Sequence, residues 1–133
     1  MQKKGIMQPK LGGIIEVEEA VWDKVMNVNL KSVFIASRAV IPQMIVQKSG
    51  CIINISSIAA TRYRMSQTFT YPVSKAAQNA LTRCMAVELA DKGIRVNGIM
   101  PGMMDTPTIY QSKLPKASEG DLDAMRKRRN ESV

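Results

Sequence analysis

Histidine is absent from all 133 residues. That excludes every catalytic triad whose base is an imidazole. Cysteine is scarce too: Cys51 and Cys84 are the only two, and no C-x-x-C pattern occurs. The shortage of ligands argues against a zinc site, and no metal is expected. Both thiols sit among apolar neighbours, so they are predicted to be buried and unpaired. No apolar run approaches the roughly 20 residues that span a bilayer, so no membrane segment is expected. Met1 to Val17 mixes lysine, glycine and proline and lacks an apolar core, which argues against a signal peptide. The expected location is the cytoplasm. Aromatic residues make up 5% of the chain, and none interleaves the basic run Arg126-Lys127-Arg128-Arg129. Despite a formal charge of +8, that run reads as a solvated helix end, and no nucleic-acid partner is expected.

What is present is the composition of a globular protein, with 45% hydrophobic and 23% charged residues. The length suits one domain, or part of one, and is short for a doubly wound α/β enzyme. Acidic Glu18-Glu19 marks a helix start. Trp22, Val25, Met26, Leu30, Val33, Phe34, Ser37, Val40, Ile41 and Met44 then recur at three-to-four spacing. This predicts one helical stretch towards Lys48, kinked or loosened at Pro42 and ended by Ser49-Gly50.

Cys51 to Ile55 is short, β-branched and apolar on both faces apart from Asn54, as a central parallel strand is. A loop follows to Thr70. A second helix is predicted from about Tyr71 to Lys92, with Val73, Ala77, Ala80, Leu81, Cys84 and Val87 as its apolar stripe and Gly93 as its cap. Ile94 to Met100 reads as another strand, broken by Pro101-Gly102. Strand, helix and strand with short connections make a βαβ unit. The loops Ser56–Thr70 and Pro101–Pro107 then lie at the carboxyl ends of the strands, the edge where open α/β sheets bind ligands.

Chemistry concentrates between Ser56 and Lys75. Tyr71 and Lys75 are four apart and share a helix face. An ammonium beside a phenol favours the phenolate, which makes tyrosine useful as an acid or base. Serines 56 and 57 end the strand before it, Asn29 lies in the preceding helix, and Pro101-Gly102-Met103-Met104-Asp105-Thr106-Pro107 follows the next strand. Tyr-x-x-x-Lys alone is a weak signal, but this ordered set is specific.

Together these segments resemble the classical short-chain dehydrogenase/reductase family, from about Glu18 to Pro107. The segments that match are Trp22–Asn29, Cys51–Ser57, Tyr71–Ala77 and Leu89–Pro107. The resemblance implies an α/β fold, part of a Rossmann-like doubly wound parallel sheet in three α/β/α layers, with the N-terminal βαβ units missing. It implies hydride transfer between a secondary alcohol and a carbonyl of a small-molecule substrate, with NAD or NADP as cofactor. By the same resemblance Tyr71 is the general acid/base. Lys75 favours its phenolate and holds the nicotinamide ribose. Ser57, with Ser56 as the alternative, bonds the substrate oxygen. Asn29 holds a water that links Lys75 to solvent. Pro101, Gly102 and Thr106 contact the nicotinamide. A homo-oligomer through the two long helices is expected as well.

Departures from the family pattern are clear. Pro72 follows Tyr71 directly and biases it towards extended backbone. Gly-x-x-x-Gly-x-Gly, the pyrophosphate turn, is not in this sequence. The family's Asn-Asn-Ala-Gly segment would fall at Gln2–Gly5, where only the glycine fits. The chain therefore reads as the middle of a protein roughly twice as long, a single domain in part. The alternative is a catalytically inactive remnant serving as a binding or oligomerisation module. Arg62, Tyr63, Arg64 and Met65 are expected to border the pocket. They point to an anionic or polar substrate, with solvated arginines as the plain alternative.

Overall fold

The computed structural model describes residues 5–8, 12–62 and 69–102, with Met104 and Lys127. The chain divides into two compact units after Pro101, and the sheet and its helices belong to the first.

The long helical stretch forms, but in three parts. α1 is Glu19–Met26, a π-helical turn follows at Asn27–Lys31, and α2 is Ser32–Gln47. The irregularity falls at Asn29 rather than at Pro42, which α2 carries inside it. A π turn bonds i to i+5 in place of i to i+4 and is frequent at functional sites. Here the Ser32 hydroxyl donates to the Val28 carbonyl at 2.6 Å. The helix ends one step earlier than Ser49-Gly50 suggests: Lys48 takes the left-handed cap conformation, φ 51°. Gly50 instead opens the first strand, where a Cβ would come 2.6 Å from the Met44 sulfur.

β1, Gly50–Ile55, pairs in parallel with β2, Ile94–Ile99, from Gly50 beside Ile94 to Ile55 beside Ile99. Between them runs α3, Thr70–Leu89, with a 3₁₀ turn at Ala90–Lys92. Gly93 caps it with φ 71°, and an added Cβ there would come 2.4 Å from the Lys48 carbonyl oxygen. Glycine is required twice over, for the backbone angle and for the space.

The core is small. Met85 and Leu89 of α3 meet Ile94 and Val96 of β2, with Ile41, Met44 and Ile52 against them. Both helices thus cover the sheet face that carries Ile52, Ile94 and Val96. The opposite face, with Cys51, Ile53 and Ile99, is exposed among the described residues. Cys51 and Cys84 are both exposed free thiols, not the buried ones expected. Each thiol points away from the core that its apolar neighbour in sequence, Ile52 or Met85, enters.

The stripe expected on α3 is not the buried one. Cys84 is exposed, and Val87 is 82% exposed. The buried face is Thr70, Ser74, Lys75, Gln78, Thr82, Met85 and Leu89. It keeps helical spacing, but its first turns are polar. It faces the site, and no described buried side-chain nitrogen or oxygen lacks a hydrogen-bond partner.

Candidate active site

The two strands end together. The Ser56 amide donates to the Ile99 carbonyl at 2.8 Å, and the Ile58 amide to the Pro101 carbonyl at 3.0 Å. This brings the loops after β1 and β2 to one edge. Pro101 is half-buried there. Gly102 is exposed and opens the second unit. Thr106 lies outside the described residues, as do Tyr63, Arg64, Met65 and most of the C-terminal basic run.

The serines differ in what their hydroxyls do. The Ser56 hydroxyl is buried and donates to the Lys75 backbone carbonyl at 3.0 Å, clamping β1 to α3. Ser57 is only half-buried, in extended backbone, and its hydroxyl accepts from the Ala59 amide at 3.2 Å. Its own proton therefore remains available to a further acceptor.

Helix α3 starts at Thr70, so Tyr71 is helical in spite of the bias from Pro72. A proline in the first turn lacks an N–H that would have no partner within the helix anyway. The start is anchored from afar. The Gln8 side-chain carbonyl accepts from both the amide and the hydroxyl of Thr70, at 3.1 and 2.9 Å. Trp22 stacks on Phe69, with ring centres 5.8 Å apart. Both contacts fix the residues just before Tyr71.

Tyr71 and Lys75 do share one face, and the ammonium lies 5.9 Å from the phenol ring centre, within cation–π reach. Lys75 is 5% exposed. Its ammonium donates to the Ile55 carbonyl and to the Gln78 side-chain oxygen, both at 2.9 Å. Burial pushes its pKa below the ordinary lysine value, because a desolvated amine holds its proton less well.

Asn29, 3% exposed, joins three segments. Its side-chain oxygen accepts from the Ile6 amide at 2.8 Å. Its amide protons go to the Ile6 carbonyl and the Ser74 hydroxyl, both at 2.9 Å. Ser74 in turn donates to the Tyr71 carbonyl at 2.7 Å. Gly5 completes the approach: a Cβ there would come 3.0 Å from Asn29 Oδ1 and 3.2 Å from Lys75 Cε. Asn29, Lys75 and Gln78 line an open cleft of about 620 Å³ between the π turn, α2 and β1.

The structure thus gathers Asn29, Ser57, Tyr71, Lys75 and Pro101 around the carboxyl edge of the sheet and the turn beside it. Sequence reasoning missed Gln8, Ser74 and Gln78. None of these belongs to a periodic apolar pattern, and Thr70, which Gln8 anchors, lies 62 residues away from it. Gly5 had one signal, its match to the end of the Asn-Asn-Ala-Gly segment.

Two parallel strands joined by a crossover helix make this a partial open α/β sheet, and comparison with known proteins gives its class. The family model for short chain dehydrogenase matches residues 5–116, and the chain belongs to the short-chain dehydrogenase/reductase family. It is 43% identical over 100 residues to dehydrogenase/reductase SDR family member 6 of Aquarana catesbeiana, covering 75% of this chain and 41% of that protein. It is 43% identical over 110 residues to the 3-oxoacyl-[acyl-carrier-protein] reductase FabG of Thermotoga maritima, covering 82% and 44%. Among solved structures, a gluconate 5-dehydrogenase from Burkholderia cenocepacia in complex with NADP and tartrate superposes with a TM-score of 0.76. It is 32% identical, over 86% of this chain and 43% of that one. A short chain dehydrogenase from Mycobacterium smegmatis gives a TM-score of 0.68 at 31% identity, over 75% and 40%. The fold is therefore part of a Rossmann-type α/β sheet, and the chain spans about two fifths of the length of the relatives it matches. Among the described residues, no helix is long and apolar enough to cross a membrane.

Proposed function

We propose that this chain carries the acid/base half of an oxidoreductase that interconverts a secondary alcohol and a carbonyl with NAD or NADP. The observation that supports this best is Lys75, buried and hydrogen-bonded one helical turn from Tyr71 with its ammonium 5.9 Å from the ring. By the family pattern, Lys75, Tyr71, Pro101, Gly102 and Thr106 would hold the nicotinamide and its ribose, whereas this sequence has no glycine-rich turn for the pyrophosphate. When bound, the reduced nicotinamide supplies the hydride.

The residues of this chain do the rest. In reduction, Tyr71 gives its proton to the substrate oxygen as negative charge develops there, and in oxidation it takes that proton back. Ser57, rather than Ser56, donates to the same oxygen, because the Ser56 proton is already committed to the Lys75 carbonyl. Lys75 stabilises the phenolate and holds the ribose. Asn29 helps hold a water that links Lys75 to solvent, and with both amide protons engaged it does so through an acceptor lone pair. The working unit is a homo-oligomer in the cytoplasm acting on a small molecule.

Incubating the protein with NADH or NADPH and a panel of ketones tests this. Cofactor oxidation is expected, and Tyr71→Phe should reduce it by roughly 10²- to 10⁴-fold. Turnover that survives this substitution unchanged would refute the assignment. A second reading, a non-catalytic association module, is favoured by the apolar side chains left exposed on the two long helices, Val46 and Val87 among them. It predicts a folded chain that neither binds NADP in a titration nor turns over any carbonyl.

A further inference from the structure

Gln78 lies one turn beyond Lys75 on α3 and is buried. A leucine or methionine would fill that volume without needing a partner. The glutamine instead turns its carbonyl oxygen to the Lys75 ammonium at 2.9 Å, an acceptor for a charged donor and therefore a strong bond. The backbone that carries it is fixed as well. The Thr82 hydroxyl donates to the Gln78 carbonyl at 2.8 Å and accepts from Asn54 of β1 at 2.9 Å. Ile55, next to Asn54 on the same strand, supplies the other acceptor for the ammonium. One strand and one helix thus approach the amine from two sides, and their spacing is set by the Asn54–Thr82 bond.

We infer that Gln78 is a positioning residue for Lys75: its side-chain carbonyl and the Ile55 carbonyl take two of the three ammonium protons and hold the amine beside Tyr71. One proton is left for whatever acceptor the reaction brings. Only the identity of that last acceptor rests on the oxidoreductase reading. The hold on the amine is independent of it.

The surroundings leave few other groups to do this. Among the described residues, Lys75 is the one ionisable group lining the cleft. Asn29 from the π turn, Asn54 and Ile55 from β1 and Gly5 from the N-terminal segment line it too, and none of them titrates. On its own helix the titratable neighbour is Tyr71.

The test is an NMR titration of the full chain labelled with ¹³C,¹⁵N-lysine, with the Lys75 signal assigned by its loss in Lys75→Met. Gln78→Leu keeps the volume and removes the acceptor. The Lys75 midpoint should fall by roughly one pH unit or more, and its ammonium signal should be lost to faster exchange with water. Gln78→Glu keeps an acceptor and adds negative charge, so the midpoint should rise above that of the unsubstituted protein. If Gln78→Leu does not fold, as judged by circular dichroism, Gln78→Glu decides alone. A midpoint unmoved by these substitutions, or moved in the opposite directions, overturns the inference. Turnover does not enter this readout. A shifted midpoint in a protein that oxidises no NADPH would leave the Gln78 assignment standing and refute the catalytic one.

Discussion

Burying the Lys75 amine has a consequence for stability that can be followed with pH. In the unfolded chain this lysine binds its proton with ordinary affinity, and in the folded chain burial weakens that affinity. Between the lowered value and the ordinary 10.5, the unfolded state therefore holds more protons than the native one. Stability contributed by this group rises with pH across that window, and at lower pH the buried charge is a constant penalty. The urea midpoint of the natural protein should climb towards pH 10.5 relative to that of Lys75→Met, in which the group is gone. Parallel curves for the two proteins would show that burial does not act on this amine. At the same scale, Tyr71, Lys75 and Asn29 were legible as residue types at recognisable spacings. Gln78 and Ser74 were not, because a buried polar residue is explained by its partner and the partner is visible only after folding.

Among the elements, the junction between α2 and β1 carries the tightest steric demand. Gly93 and Gly50 both sit where a side chain would collide, but with different neighbours. At Gly93 the obstacle is the Lys48 carbonyl, backbone that cannot move aside, and φ is 71°. At Gly50 it is the flexible end of Met44. Gly93→Ala should cost more than about 2 kcal/mol in chemical denaturation, and Gly50→Ala about 1 kcal/mol or slightly more. Adding Met44→Ala should offset part of the Gly50→Ala loss, so that the pair is less destabilised than the sum of the singles. Additive losses would show that Met44 already has room to give way. The strands and helices were readable because β-branched runs and three-to-four spacing report directly on local structure. The face that α3 buries was misread for a physical reason: apolar periodicity identifies a buried face only when apolar partners bury it. Here the first turns are buried by hydrogen bonds to β1, the π turn and Gln8. Residues 5–8 have no pattern of their own, and they are held by the Asn29 side chain on Ile6 and by the bonds of Gln8 to Thr70.

For the molecule as a whole, large apolar side chains remain uncovered on both long helices. Val46 is 77% exposed and Val87 is 82% exposed, with Phe34 and Ile35 also open. Patches of this kind mark association surfaces. Sedimentation velocity should show a species heavier than one chain, and Val46→Lys with Val87→Lys should shift it towards the monomer. A protein that sediments as a single chain without these substitutions would remove the proposed homo-oligomer.

The π turn at Asn27–Lys31 works as a slipped thread in a screw. Each residue advances an α-helix by about 100°, so one residue too many in a single turn leaves everything after it out of phase with everything before. A wheel drawn through residues 19–47 as one helix therefore points the side chains beyond Asn29 in the wrong directions. Two wheels, one ending at Met26 and one beginning at Ser32, are needed to choose surface substitutions on this arm. A one-residue deletion within the turn would instead restore a regular α-helix and leave α2 in phase with α1. What it would disturb is the turn itself, and with it the placement of Asn29 against Ile6 and Ser74.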